Sequence, residues 1–537
     1  MIFTKGSDTI HQKTPETLII AGLVCIALVC GCIASPSGQP IPLQNVNIST
    51  ENSGAEDVAA IIPRFDAYAE QTFQKSGVPG MAVAVVQNDT VVYLRCFGVK
   101  NITTQDPVTP HTRFQLASIS KSFTAASIAS MVGDGELSWD DRVAPLNPDF
   151  RLSDPWVTEH VTFRDLLSHR TGLPQYGGDI LQYGFACNRS EIIQKLRYLT
   201  LTGEFRSSYA YSNIGITSAA EAAAKRAGQP WEDLVAERVF VPAGMKNTSA
   251  RFADFALADD HADTYLVTDG TAVAGQLLND DVNSPDGGVS STIEDMARYA
   301  RLQVNEGSID GKQVIAAAAL RETHTPQNII RSSPNGVMAN ALGWESVIGY
   351  GHTRFEHGGD LDTGVSTYIT IYPEEKMGIV VLTNGFPGGY VLKKAVTNGW
   401  DDLYFTGTVQ KDWYGETETE LNEAMKPGAS ALNPYDHLAP EQADPRPARP
   451  NAAYSGSYAQ DYYGTIRVDT NATGLLVYPG HSTCPFFLVP HDGDTFRDTE
   501  TDTPVIFTVG SDGTATSVWF AQFDLPGRNG TFVRPSP

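Results

Sequence analysis

Between Arg113 and Asp134 the chain carries one charge, Lys121, within LASISKSFTAASIASMV, Leu116 to Val132, a run without glycine, proline or a polar face. A segment that is apolar or small on every side reads as a helix buried all round. Such a helix must be wrapped completely, which demands a large core on several sides of it. A lysine inside it either snorkels its head to the rim or has work within. Three residues before it stands Ser118, on the same helical face. A hydroxyl and an amine one turn apart make a nucleophile and a base once the amine is neutral. Free lysine, with a pKa of about 10.4, stays protonated at neutral pH, but burial disfavours the charged form and lowers that value. Ser-x-x-Lys turns up by chance about once in a chain this long, so the weight rests on the burial.

Around that helix the pattern changes to strands. MAVAVVQNDTVVYLRCFGV, Met81 to Val99, and VSTYITIYPEEKMGIVVLTN, Val365 to Asn384, each hold two β-rich runs about a turn, at Gln87-Asn88-Asp89 and Pro373-Glu374-Glu375. Residues 56 to 75 read as an amphipathic helix, and the stretch between the hairpins is mostly helix and loop. The economical arrangement over residues 56–407 is α+β: an antiparallel sheet assembled from both ends of the domain, flanked by helices, with a helical subdomain inserted. Residues 408–450 are polar and proline-dense and read as a linker. Residues 451–537 break into short strands between Gly, Asp and Pro turns, a small all-β barrel or sandwich.

Leu18 to Ala34 is an uncharged apolar run behind Lys5 and Lys13, so residues 1–34 read as a cleaved export signal, an uncleaved anchor, or a lipoprotein signal with Cys32 as the lipid-bearing residue. Residues 35–55 look like a tether. All three readings place the mature protein outside the cytoplasm, secreted or held at a membrane by this segment. The net charge of -24 argues against nucleic acid and against an anionic membrane surface as partners. Cys96, Cys187 and Cys484, the cysteines beyond that segment, are odd in number and lack metal-ligand spacing, so neither a disulfide framework nor a metal site is expected.

Two further stretches carry chemistry. FRSSYAYSNIGIT holds Tyr211-Ser212-Asn213, and TRFEHGGDLDTGVSTYITIY sets His357-Gly358-Gly359 at the entrance to a strand, where glycines let backbone approach a ligand. In this order Ser118-x-x-Lys121, Tyr211-Ser212-Asn213 and His357-Gly358-Gly359 resemble the motifs of the serine β-lactamase and penicillin-binding-protein family, most nearly its class C, carboxypeptidase and esterase-like branch. LLSHRTGLP, PDGGVSSTIEDMARYA and ALGW add to the likeness, which covers about residues 56–407.

The resemblance implies that Ser118 is the acylated nucleophile, Lys121 its activator and Tyr211 the second proton-handling residue, with Lys121 and Tyr211 both open as the base. It makes Asn213 a partner of the substrate amide or of the lysine, and Gly358, Gly359 and Asp360 part of the substrate-binding strand. The backbone N–H groups of Ser118 and Asp360 become the oxyanion hole. Relatives that hydrolyse antibiotics usually carry lysine where His357 stands, and neutral imidazole binds a carboxylate less well. Glu356, Asp360 and Asp362 read as negative charge about the site, favouring a substrate with a free amine.

The expectation is an exported serine hydrolase, free of metal and cofactor, cleaving an ester or a small peptide or amide as an esterase or D-amino-acid peptidase does. The alternatives are a β-lactamase or D-Ala-D-Ala carboxypeptidase, and a sensor or scaffold that binds penicillin without turnover. The C-terminal domain is expected to cap the cleft or to join copies of the chain into a homo-oligomer. No Gly-x-Ser-x-Gly elbow, His-Glu-x-x-His pair or phosphate-binding glycine loop is present.

Overall fold

Strand β1 (Gly80–Gln87) is buried along nearly its whole length, because both of its faces are covered. Met81, Val83 and Val85 join one core and Ala82, Ala84 and Val86 another, the period-two alternation of a strand sandwiched between helical layers. The computed structural model describes residues 58–334, 336–349, 352–426, 444–471 and 474–535. The signal or anchor, the tether and Cys32 lie outside the described residues.

The remaining strands of the sheet are β2 (Thr90–Gly98), β3 (Asn328–Ser333), β4 (Gly336–Asn340), β5 (Glu345–Gly349), β6 (His352–Leu361), β7 (Val365–Tyr372) and β8 (Met377–Thr383). Their order is β2-β1-β8-β7-β6-β5-β4-β3, antiparallel throughout. Met81 pairs with Thr383, so the two hairpins, from opposite ends of the domain, lie side by side in one sheet. Asn88, at φ +54, serves the first hairpin turn, where a short polar side chain tolerates the left-handed region.

Among the described residues the α-helices of eight residues or more are α1 (Val58–Ser76), α2 (Ser120–Gly133), α3 (Asn213–Ala227), α4 (Ile293–Val304), α5 (Ala317–His324), α6 (Gly388–Thr406) and α7 (Trp413–Ala424). α1 and α6 cover one face, with Phe65 and Trp400 edge to face at 4.9 Å. α2, α4 and the helical subdomain cover the other. Every residue of α2 from Ser120 to Met131 is buried, Lys121 included, as the all-round apolar run demands. α7 lies inside the stretch read as linker. It packs Tyr414 and Leu421 against Val391 and Ala395 of α6, a narrow apolar stripe on a polar segment.

His324 ends α5, stacked on Phe355 at 4.4 Å with its Nε2 3.0 Å from Gln303 Oε1. Burial pushes its pKa down to about 3. The unfolded chain therefore binds a proton that the native state refuses between pH 6.5 and 3, and stability contributed above pH 6.5 drains away as pH falls. A His324→Gln variant is expected to trail the wild type in melting temperature at pH 7 and to close that gap by pH 5. A constant gap between the two melting curves would refute this.

The C-terminal region is a closed eight-stranded up-and-down barrel, from Gly456–Gln460 to Thr531–Val533, its interior filled by Tyr458, Phe486, Phe507, Phe520 and Phe532. The barrel docks on the helical subdomain. Phe185 stacks on Tyr463 at 5.2 Å, Tyr462 OH accepts from Gly178 N at 2.9 Å, and Arg528 Nη2 donates to Gln175 O at 2.8 Å. It thereby grips the loop that leads into the site.

Candidate active site

A short 3-10 turn, Ala117–Ile119, leads into α2 and carries Ser118. Ala117 is held at φ +51, a left-handed conformation costing an alanine on the order of 1 kcal/mol or more, while Ser118 stays half-buried. The turn is clamped from above by β6. A methyl group on Gly359 would overlap Leu116 O and stand 2.5 Å from Thr367 Oγ1 and 3.1 Å from Ala117 Cβ, so only glycine lets the strand lie this close. β5 pairs with β6 only from His352 to Glu356. Beyond that point, among the described residues, β6 has an edge without a strand partner, beside Ser118.

Lys121 is wholly buried, and its Nζ donates to Ser118 Oγ at 3.0 Å and to Asp286 O at 2.9 Å. Asp286 Oδ1 lies 3.7 Å from the same Nζ, and the ring of Tyr211 is centred 4.9 Å from it. Ser118 and Lys121, one turn apart, thus come together with Tyr211 from a second part of the sequence. ALGW finds its reason here too: Gly343, at φ +70, lies against Lys121 O, which a Cβ would approach to 2.7 Å.

Tyr211 is set by neighbours on both sides. Its ring lies 4.7 Å from that of His169, whose Nδ1 accepts from Ser212 N at 3.1 Å, and its carbonyl accepts from Tyr176 N at 2.9 Å. Burial, seconded by the charge of Lys121, holds the His169 imidazole well below the ordinary histidine range, so it stays neutral. Asn213 opens α3 with Ser212 as its N-cap, and its Nδ2 donates to Asp179 Oδ2 at 2.7 Å.

His357 is 5% exposed, with Nδ1 2.7 Å from Gly358 O. Burial and the Lys121 charge push its pKa down to about 3. Neutrality at this position, expected of any histidine near pH 7, is enforced here across the working pH range.

The acidic residues about the site are ion-paired. Glu356 and Asp360 alternate with His357 and Gly359 and project to the opposite face of β6, where Arg354 Nε donates to Glu356 Oε2 at 2.7 Å and Lys393 Nζ to Asp360 Oδ1 at 2.6 Å. Each is ion-paired there while still lining the cavity that Tyr211 and His357 border, and Asp362 lies beyond β6 in the turn to β7. Further carboxyl groups stand behind Lys121. Burial raises the Asp286 carboxyl, with Lys121 opposing, and raises Asp280 and Asp179 to about 7, with the Asp286 charge adding to each. Thr217 Oγ1 donates to Asp286 Oδ2 at 2.7 Å, and Gln182 and Tyr183 donate to Asp280.

His169, Asp179, Asp280, Asp286 and Lys393 were not singled out from the sequence. His169 and Asp286 lay within the phrases LLSHRTGLP and PDGG; Asp179, Asp280 and Lys393 carried no local signal. A cavity of about 300 Å³ borders Tyr211 and His357 and continues past Lys393 and Lys394. Among the described residues no cluster of His, Cys, Asp or Glu is arranged to hold a metal ion. No described helix is long and apolar enough to cross a membrane.

Comparison with known proteins gives a match to the β-lactamase family over residues 65–398, and to a domain of unknown function (DUF3471) over residues 440–534. An unguisins hydrolase of Aspergillus campestris is 27% identical, over 87% of this chain and 90% of that protein. Penicillin-binding protein 4* of Bacillus subtilis is 29% identical over 40% of this chain and 50% of its own length. Among solved structures, the octameric penicillin-binding protein homologue from Pyrococcus abyssi superposes with a TM-score of 0.54 at 19% identity, over 88% of this chain and all of that one, a likeness of fold.

Proposed function

The chain belongs to the β-lactamase family, and on that premise we propose that it is an exported serine hydrolase whose Ser118 is acylated by an ester or a small peptide or amide and then released by water. The observation that carries this reading is the buried amine of Lys121, 3.0 Å from Ser118 Oγ and beneath the ring of Tyr211. As Ser118 Oγ attacks the substrate carbonyl, its proton passes to the Lys121–Tyr211 unit. That unit delivers the proton to the departing alcohol or amine, and water repeats the sequence on the acyl-enzyme. The oxyanion is received by the N–H groups of Ser118 and Asp360, the latter beside the open edge of β6. Asn213, held by Asp179, takes the role of orienting the substrate amide.

His357, neutral at any working pH, offers no fixed cation for a substrate carboxylate, which favours esters and small peptides over β-lactams. A His357→Lys variant is expected to bind a carboxylate-bearing cephalosporin about tenfold more tightly. A hydrogen bond to a charged partner is worth about 1.5–3 kcal/mol, and 1.4 kcal/mol is tenfold. An unchanged KM would mean that position 357 does not face the substrate carboxylate. The whole reading is tested by presenting the purified protein with p-nitrophenyl esters, D- and L-aminoacyl anilides and a chromogenic cephalosporin. Turnover of the first two classes well above the third is expected, and turnover of the cephalosporin alone would overturn the preference. Export rests on the apolar segment Leu18 to Ala34.

A further inference from the structure

Lys393, on α6, lies on the face of the sheet away from Ser118 and is completely buried. Its Nζ donates to Gly359 O at 3.0 Å and to Asp360 Oδ1 at 2.6 Å, with the Tyr390 ring centred 5.2 Å away. A buried ion pair adds little net stability over apolar side chains of the same volume, so the placement of its charges is what matters.

The carbonyl that accepts from Lys393 belongs to the Gly359–Asp360 peptide, and the other end of that peptide is the Asp360 N–H. Gly359 O lies toward β7, with the Thr367 hydroxyl 3.5 Å from it. In a trans peptide the N–H points opposite to the carbonyl, so the Asp360 N–H is directed to the edge that β5 leaves open. A cation on the carbonyl oxygen draws electron density through the conjugated amide and makes its N–H a stronger donor. The Asp360 carboxylate holds the ammonium in place.

We propose that Lys393 is a positioning residue for the reaction, polarising the Gly359–Asp360 peptide from behind so that the Asp360 N–H becomes a stronger oxyanion donor. This rests on the reading of Ser118 as the acylated nucleophile and of Asp360 N–H as its second donor. The amine is fully buried, and the positive charge missing from position 357 reaches the site through a backbone amide.

The test uses the full chain carrying Lys393→Met together with Asp360→Asn, which leaves no unpaired buried charge. Three quantities are read: kcat and KM on a p-nitrophenyl ester, the affinity of a phenylboronic acid that forms a tetrahedral adduct on Ser118, and the carbonyl stretch of the trapped acyl-enzyme. Expected are a fall in kcat of about tenfold or more, short of the 10²–10³ for losing a donor outright, an equal fall in boronate affinity, KM within about twofold, and a stretch at higher wavenumber. Lys393→Arg keeps the cation, and its acyl carbonyl is expected to absorb where the wild type does; a shift as large as that of the neutral pair would count against the inference. A folded neutral pair with wild-type boronate affinity and stretch overturns it alone. A wild-type protein that forms no boronate adduct on Ser118 overturns the acyl-transfer reading and this inference together.

Discussion

Replacing Lys121 with alanine is expected to cost as much turnover as replacing Ser118 with alanine, on the order of 10³-fold or more in kcat for either, because groups acting as one unit lose function together. The hydroxyl alone is a weak nucleophile, and water cannot substitute for the amine at a position that solvent does not reach. Joint loss therefore discriminates better than a large single loss. The double variant Ser118→Ala/Lys121→Ala is expected to be no slower than either single variant on a p-nitrophenyl ester, whereas multiplying losses would show two independent contributions. Removing Lys121 also leaves the Asp286 carboxyl without its cation, so the rates are to be read on variants whose circular dichroism matches the wild type, with Lys121→Met preserving more of the packing.

Gly359→Ala is expected to lose about 10²–10³-fold in kcat while leaving Ser118, Lys121 and Tyr211 chemically intact. One added carbon overlaps Leu116 O and presses on Ala117, the residue whose left-handed backbone presents the nucleophile. β6 must then lift from the turn, taking the Asp360 N–H away from the oxyanion, and losing one such donor costs about 2.7–4 kcal/mol in the transition state. KM on small esters is expected to change little, since the charge that needs the donor arises only after binding. A Gly359→Ala enzyme with wild-type kcat would show that β6 does not supply the second donor.

Much of this was legible because it was local. The helix buried on all sides, the two hairpins about Asn88 and Pro373, and a serine one turn from a lysine are each encoded within one short contiguous stretch. What stayed hidden depends on contacts across the fold. Asp286 meets Lys121 from 165 residues away, and Lys393 reaches Gly359 O across 34. The cations that pair Glu356 and Asp360 were hidden by strand alternation. Both carboxylates sit beside His357 in sequence yet point through the sheet, where Arg354 and Lys393 receive them. The helix Trp413–Ala424 was hidden by its composition, since few apolar side chains hold so polar a segment in place. The positive-φ residues Ala117 and His169 carry no signal of that conformation, which the packing around the site imposes on them.

The central claim is covalent, and the direct measurement is the intact mass and peptide map of protein quenched at intervals during turnover of a p-nitrophenyl ester. An acyl group should appear on the peptide bearing Ser118, at up to one per chain, and decay at the rate that accounts for kcat once substrate is exhausted. Steady hydrolysis with no adduct, or an adduct confined to a different residue, would contradict the account.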